Sequence, residues 1–370
     1  MTSEPRPTRD LRLDFFRGLA LICIFVDHIP GDGLNNYTIR NLGFSDASEV
    51  FVFISAYAAG LVYGGRMARG GIGAAARRVW QRAGIVYLAH VLLVVTSSAF
   101  AAWLSSVLAD PQFVQGLNVQ PILASPRPVF LQTLMLGFQP TFNDILPLYV
   151  VMLVWTPAIL WMVWRHVSVA LAISLALWVL GRTALQGTFE TSFGVRWEFD
   201  PLAWQLLFAI GVSLGCGAFG RGLHVPKSWW PGSLALGYTV FAFVVMQRGW
   251  SLDTIAVAVP QSLTWLVLPI WERANLSPWR LAHVLSLAYL VAWALPSDTR
   301  LLRSRITRPV ILCGQHSLPI FAGGVLLSIL GWAAIATMGD GLEVLTLVNV
   351  GGVGVMMLLA WGLSRRRVRV

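Results

Sequence analysis

Apolar stretches of about twenty residues recur along the whole chain, and short segments rich in arginine separate them. A membrane-crossing helix needs about 20 residues at about 1.5 Å rise each. The pattern predicts helices near 12–29, 47–65, 82–108, 144–164, 167–183, 201–220, 230–247, 278–296, 317–338 and 342–363. The expected fold is all-α and polytopic, with about ten transmembrane helices. No polar stretch is long enough for a soluble domain, so 1–370 is expected to be a single transmembrane domain.

One stretch is ambiguous. Residues 252–272 are apolar but interrupted by Pro260 and Pro269. They either cross or lie in the interface as a short broken helix, and charge decides between these. With ten crossings and a cytoplasmic N-terminus, the inner segments collect Arg6, Arg9 and Arg12, then Arg66, Arg69, Arg77, Arg78 and Arg82, then Arg165, Arg221 and Lys227. Downstream they collect Arg300, Arg303, Arg305 and Arg308, and finally Arg365, Arg366, Arg367 and Arg369. The outer loops keep Arg40, Arg127, Arg182, Arg196, Arg248, Arg273 and Arg280. An extra crossing at 252–272 would move the last two inner clusters outside and erase the positive-inside bias. Ten crossings with both termini in the cytoplasm is therefore the expected topology. The long outer loops, 30–46, 109–143, 184–200 and 248–277, are where functional content is expected.

Composition agrees. The chain of 370 residues is 56% hydrophobic and 12% charged, about half the charged fraction of a soluble protein, and its mean hydropathy is +0.68. The 17 Trp suit helix ends at the headgroup layer. A net charge of +10 would fit nucleic acid, but the cations lie in short loops between apolar runs. They read as topology signals, as contacts to membrane lipid, or as a site for a phosphate-bearing cofactor. Cys23, Cys216 and Cys313 are far apart with no CxxC pair, so neither a disulfide framework nor a metal site is expected. The first apolar run ends in Asp27-His28-Ile29-Pro30 rather than a small-residue cleavage site, which reads as a retained helix. No internal repeat is visible, a mild argument against an inverted-repeat transporter.

Ionisable groups inside a span cost about 2.5–3.5 kcal/mol each on insertion scales, so each needs a reason. Helix 1, LRLDFFRGLALICIFVDHIP, holds Asp14, Arg17, Asp27 and His28. Asp14 and Arg17 share a face and can form an intrahelical ion pair. Arg17 and His28 are about three turns and roughly 16 Å apart along the same stripe. That places a cation near the inner end and a potential base at the outer end, while Gly18 admits a close neighbour.

Helix 2 opens on Asp46 and Glu49, which can form a D-x-x-E capping box. Glu49, facing the apolar run, is also the better candidate to orient the His28 imidazole. Asp27, His28, Asp46 and Glu49 are thus the candidate catalytic set. Asn143 and Asp144 open helix 4, where capping is the simplest explanation. Trp197 and Glu198 stand in a loop with Glu190, Arg196 and Asp200; aromatic rings beside carboxylates suit a sugar face, and a solvated loop explains them nearly as well. His316 is structural or cofactor-adjacent, whereas His90, His166, His224 and His283 have no evident partner.

Arg17-Gly18 followed by His28 resembles the first-helix signature of the acyltransferase-3 superfamily, and FVFISAY resembles its second helix, with Ala56 where glycine is usual. A closer resemblance is to the OpgC family. RLDFFRGLALICIFVDHIPG, TIRNLGFSDASEVFVFISAY, NDILPLYVVML, LSPWRLAHVLSLAYL and GQHSLPIF resemble its blocks in the same order across residues 12–321. The resemblance implies an O-acyltransferase of the bacterial inner membrane that succinylates osmoregulated periplasmic glucans. It implies acyl-CoA, succinyl-CoA by the family's name, reached from the cytoplasm, and a glucan acceptor outside. It further implies that His28 occupies the place of the catalytic histidine, as general base or as transient carrier of the acyl group, and Arg17 that of the first-helix arginine. The CoA phosphates would then meet Arg17, with Asp14 beside it, and Arg77, Arg78, Arg82, Arg305 or Arg308. The acceptor side would involve Arg40, Asn143, Asp144, Trp197 and Glu198, with Arg40 facing a succinyl carboxylate. Two other readings fit the topology: a transporter or flippase for a glycan or anionic metabolite, and a structural subunit of an envelope complex. No oligomeric state follows from the sequence.

Overall fold

The computed structural model describes residues 10–185, 187–190, 197–248, 272–297 and 299–367. In chain order its first helices are α1 (Leu11–Asp27), α2 (Ala47–Val107), the short α3 (Gln112–Gly116), α4 (Gln120–Ala124) and α5 (Pro126–Leu134), α6 (Ile145–Arg165), α7 (Val167–Arg182) and α8 (Pro201–Cys216). Then come α9 (Trp229–Arg248), α10 (Pro278–Ala294), α11 (Arg308–Gln315), α12 (Ser317–Met338) and α13 (Leu342–Arg367). Among the described residues, six helices are long and apolar enough to cross a membrane: α2, α6, α8 with its 3₁₀ extension, α9, α12 and α13.

The two spans expected at 47–65 and 82–108 belong to one 61-residue helical stretch. At about 1.5 Å per residue this stretch would be far longer than a bilayer if straight. It is broken at Gly71, whose φ of +72° and ψ of −179° only glycine adopts readily. The segment 66–81, expected as a loop, is thus helix on either side of a bend. The halves run in opposite directions against α6. Ala47 and Ser48 line a cavity with Ile145, Asn143 Nδ2 donates to Ser97 Oγ, and Trp80 Nε1 donates to Val154 O farther along α6.

Contacts of the same kind orient the remaining helices. Gly314 lies against Asp14 and Gly18 of α1, Ser328 Oγ donates to Phe25 O, and Gly331 lies beside Ile29, so α12 runs parallel to α1. Val348 lies beside Gly331 and Gly352 against Phe25, so α13 returns. The question whether 252–272 crosses falls outside the described residues, except for Glu272. The flanking Gln247 and Arg273 both reach the cavity end of the bundle, the first donating to Asn41 O and the second pairing with Asp46.

Small residues let these backbones touch. A Cβ on Gly18 would collide with Val310 O, and one on Gly314 with Asp14 O. The close neighbour expected at Gly18 is therefore α11, an amphipathic turn hidden in the sequence by its polar start at Arg308. Gly314→Val should cost at least about 1–3 kcal/mol, the usual penalty of overpacking, and lower the thermal unfolding midpoint in detergent. A wild-type midpoint would contradict this contact.

Candidate active site

α1 stops at Asp27, two residues short of the expected end, and His28 caps it with its N–H bonded to Ile24 O at 3.0 Å. Pro30 and Gly31, the latter at φ +82°, turn the chain away. Thr38 Oγ1 donates to Asp27 Oδ1 at 2.6 Å, tying the following loop back to the helix end. A cavity of about 380 Å³ opens here, walled by Asp27, His28, Arg40, Asp46, Ser48, Asn118, Gln139, Thr141, Phe142, Asp144, Glu198, Phe199, Arg273 and Phe321 among others. The His28 ring stacks on Phe142, centroids 4.4 Å apart at 24°. Its Nδ1 is buried with no hydrogen-bond partner among the described residues, a state that costs free energy until a ligand or water supplies one.

The opposite wall is an ion-pair network. Asp46 caps α2, accepting from Ser48 N at 2.8 Å and from the Ser48 hydroxyl, while Glu49 Oε2 accepts from Asp46 N at 2.9 Å, a complete capping box. The buried Arg280 of α10 bridges both acids, with Nη2 2.9 Å from Asp46 Oδ2 and Nε 2.5 Å from Glu49 Oε1. Arg273 adds Nε at 3.3 Å to Asp46 Oδ2 and Nη1 at 3.2 Å to Glu198 Oε1. Burial works against the charge on Asp46, but Arg280 and Arg273 outweigh it and hold its carboxyl well below the ordinary carboxylate range. Burial also works against the Arg273 cation, and Asp46 and Glu198 more than restore it, so this guanidinium stays charged. One turn beyond Arg280, His283 Nδ1 accepts from Ser45 N at 3.2 Å and lies 2.7 Å from Ser45 Oγ. α10 thus grips the entry to α2 twice.

Asp27, His28, Arg40, Asp46, Asp144 and Glu198 are therefore brought to one cavity. Asn143 is buried beside it and bonds Ser97. Trp197 is buried against Phe189 and is not part of the wall. Glu49 does not orient His28. Its two oxygens are committed to Arg280 and the Asp46 backbone, an ion pair across 231 residues that outcompetes the expected partner. Arg17 lies deeper along α1 and is mostly buried, with Nη2 3.4 Å from Ile54 O and Nη1 4.0 Å from Asp14. Asp14 also accepts from Gln315 Nε2 at 3.3 Å. None of Arg77, Arg78, Arg82, Arg305 and Arg308 reaches the cavity. Arg77 borders a separate apolar groove with Trp80, Pro157 and Trp161, Arg78 bonds Gln81 at 3.4 Å, Arg82 is half-buried on α2, and Arg305 and Arg308 are exposed around the start of α11.

Arg273 and Arg280 were missed as site residues. Their signal lay in the charge pattern, since the expected topology puts both cations on the side that it leaves poor in them.

The long apolar helices fit a multi-pass membrane protein, and its helix ends enclose a histidine in a carboxylate-rich cavity. The family comparison decides the class. The family model described as OpgC protein matches residues 9–368, and the chain belongs to that family, which points to a glucan-modifying acyltransferase of the membrane. No curated protein and no solved structure matches the chain.

Proposed function

We propose that the chain moves an acyl group, succinyl by the family's name, from cytoplasmic acyl-CoA to a hydroxyl of a periplasmic glucan. It crosses the bacterial inner membrane ten times with both termini in the cytoplasm, so the His28 cavity faces the periplasm. The observation that carries this reading is the His28 ring in the cavity wall, with a buried Nδ1 that no described residue satisfies.

The cavity chemistry suits a neutral polyhydroxylated acceptor. Asp27, Asp144 and Glu198 offer acceptors to hydroxyl groups, and Phe142, Phe199 and Phe321 offer apolar surface for a sugar face. His28 takes the proton of the attacking hydroxyl. Arg40 meets the carboxylate of a succinyl group. At the other end Arg17 anchors the CoA phosphates, since guanidinium matches phosphate bidentately, with Asp14 holding Arg17 in place. The exposed cations Arg77, Arg78, Arg305 and Arg308, with Arg82, supply the basic approach. The pantetheine arm runs along α1 over the roughly 16 Å between Arg17 and His28, taking the helical rise per residue.

Purified protein given succinyl-CoA or acetyl-CoA and a periplasmic glucan should add acyl mass to the glucan and release an equal amount of CoA thiol. Glycan uptake into proteoliposomes with no acyl chemistry would replace this reading with a transporter. Arg17→Ala should raise the apparent donor KM about tenfold or more, the effect of losing one charge-assisted contact. An unchanged donor KM would move the phosphate site elsewhere.

A further inference from the structure

We infer that Arg273 is a catalytic residue of the His28 cavity, its guanidinium stabilising the oxyanion that forms when the acyl carbonyl is attacked. The inference rests on the acyl-transfer reading above and adds a residue which that reading does not use.

Arg273 sits on the short segment 272–277 that leads into α10. Four donors from α7, α8 and the residue capping α8 grip its backbone. Trp178 Nε1 donates to Leu276 O at 3.1 Å, Arg182 Nη1 to Asn275 O at 2.9 Å, the Asp200 N–H to Ala274 O at 2.9 Å, and Trp204 Nε1 to Arg273 O at 3.0 Å. Trp178, Arg182 and Trp204 are buried. Leu276 is held at φ +43°, a conformation that a residue other than glycine adopts only at an energetic cost. Together the four contacts and this conformation fix where the Arg273 side chain emerges, and it emerges in the cavity wall with His28.

Arg280 is shared between Asp46 and Glu49, and Arg273 supplies the second cation through a single contact to Asp46 at 3.3 Å. Glu198 stands at the rim with its side chain 48% exposed. A guanidinium has five N–H donors. Among the described residues Arg273 makes only the Asp46 and Glu198 contacts, so donors remain for an incoming oxygen.

Two cations, Arg40 and Arg273, line the cavity with His28. Arg40 is assigned to the carboxylate of the succinyl group, which leaves Arg273 for the charge that forms during transfer. An oxyanion exists only on the way through the transition state, where a preorganised cation has its largest effect on rate. In the transfer step the glucan hydroxyl oxygen bonds to the thioester carbonyl carbon and its proton passes to His28. The carbonyl π pair moves onto oxygen against Arg273. On collapse the C–S bond breaks, and the departing CoA thiolate takes the proton back from His28.

The test uses the purified full chain with succinyl-CoA and a periplasmic glucan. Arg273→Gln should lower kcat about 100- to 1000-fold, as loss of an oxyanion donor does, with donor and acceptor KM within about threefold of wild type. Arg273→Lys should fall between, since it keeps the charge without the fork. The thermal midpoint identifies folded variants; if Arg273→Gln is unfolded, Arg273→Lys must itself show lowered kcat at unchanged KM. Wild-type kcat in a folded variant, or a loss confined to KM, overturns the role of Arg273. A wild-type protein that transfers no acyl group overturns the underlying reading as well, which separates the two failures.

Discussion

His28→Ala should abolish acyl transfer while leaving the protein folded. General-base catalysis contributes about 10²- to 10⁴-fold, so turnover should fall at least about 100-fold. The fold should tolerate the change because the ring is held by stacking on Phe142, its Nδ1 is unbonded, and the capping contact of residue 28 comes from its backbone N–H. A side chain placed for stability would have its buried nitrogen paired. The variant is compared with wild type by CoA thiol release and by the thermal midpoint in the same detergent. Wild-type turnover in a folded His28→Ala protein would remove His28 from the chemistry. A collapsed midpoint would make it structural.

Arg280→Met should be the most destabilising single change at the site. It leaves Asp46 and Glu49 buried with Arg273 as the one remaining cation among the described residues, and Arg273 reaches only Asp46 of the two. Removing one partner of a buried ion pair costs about 3–5 kcal/mol, because the other charge remains without compensation. The double variant Arg280→Met/Glu49→Gln should recover part of that loss, since it removes the stranded carboxylate, and the two effects should be non-additive. The thermal midpoints of the two singles and the double measure this directly. Equal stability of Arg280→Met and wild type, or purely additive effects, would show that the pair does not hold the entrance of α2.

Most helices were legible because their signal is local. Twenty apolar residues between arginine clusters identify a helix regardless of its neighbours, and the matched positions of α6, α7, α9 and α12 reflect that. The bend at Gly71 was not legible. The sequence around it is rich in arginine and glycine and reads as a loop, yet the chain stays helical on both sides. α11 escaped for a related reason, being eight residues long and stabilised by backbone contact with Asp14 and Gly18 rather than by its own apolar run.

The site divides along the same line. Asp46 as a cap is visible from its D-x-x-E spacing, and the capping box is present. His28 stands out because a histidine ending an apolar helix needs a reason. The partner of Glu49 was invisible, since Arg280 is 231 residues away and nothing near either residue specifies the other. Arg273 and Arg280 looked only like exceptions to the topology count. Arg273 lines the cavity and Arg280 pairs with Asp46 behind it, so each of these two cations has a carboxylate partner that the local sequence does not specify.

The central claim is that one helix joins a donor site near the cytoplasm to an acceptor site around His28 on the other side. Sealed proteoliposomes holding protein of determined orientation test it, with acyl-labelled succinyl-CoA confined to the face that carries the chain termini and glucan confined to the His28 face. The account predicts that label accumulates on the glucan while CoA thiol stays on the donor face, and that His28→Ala vesicles show neither. Label reaching glucan only when both substrates share one face would contradict it.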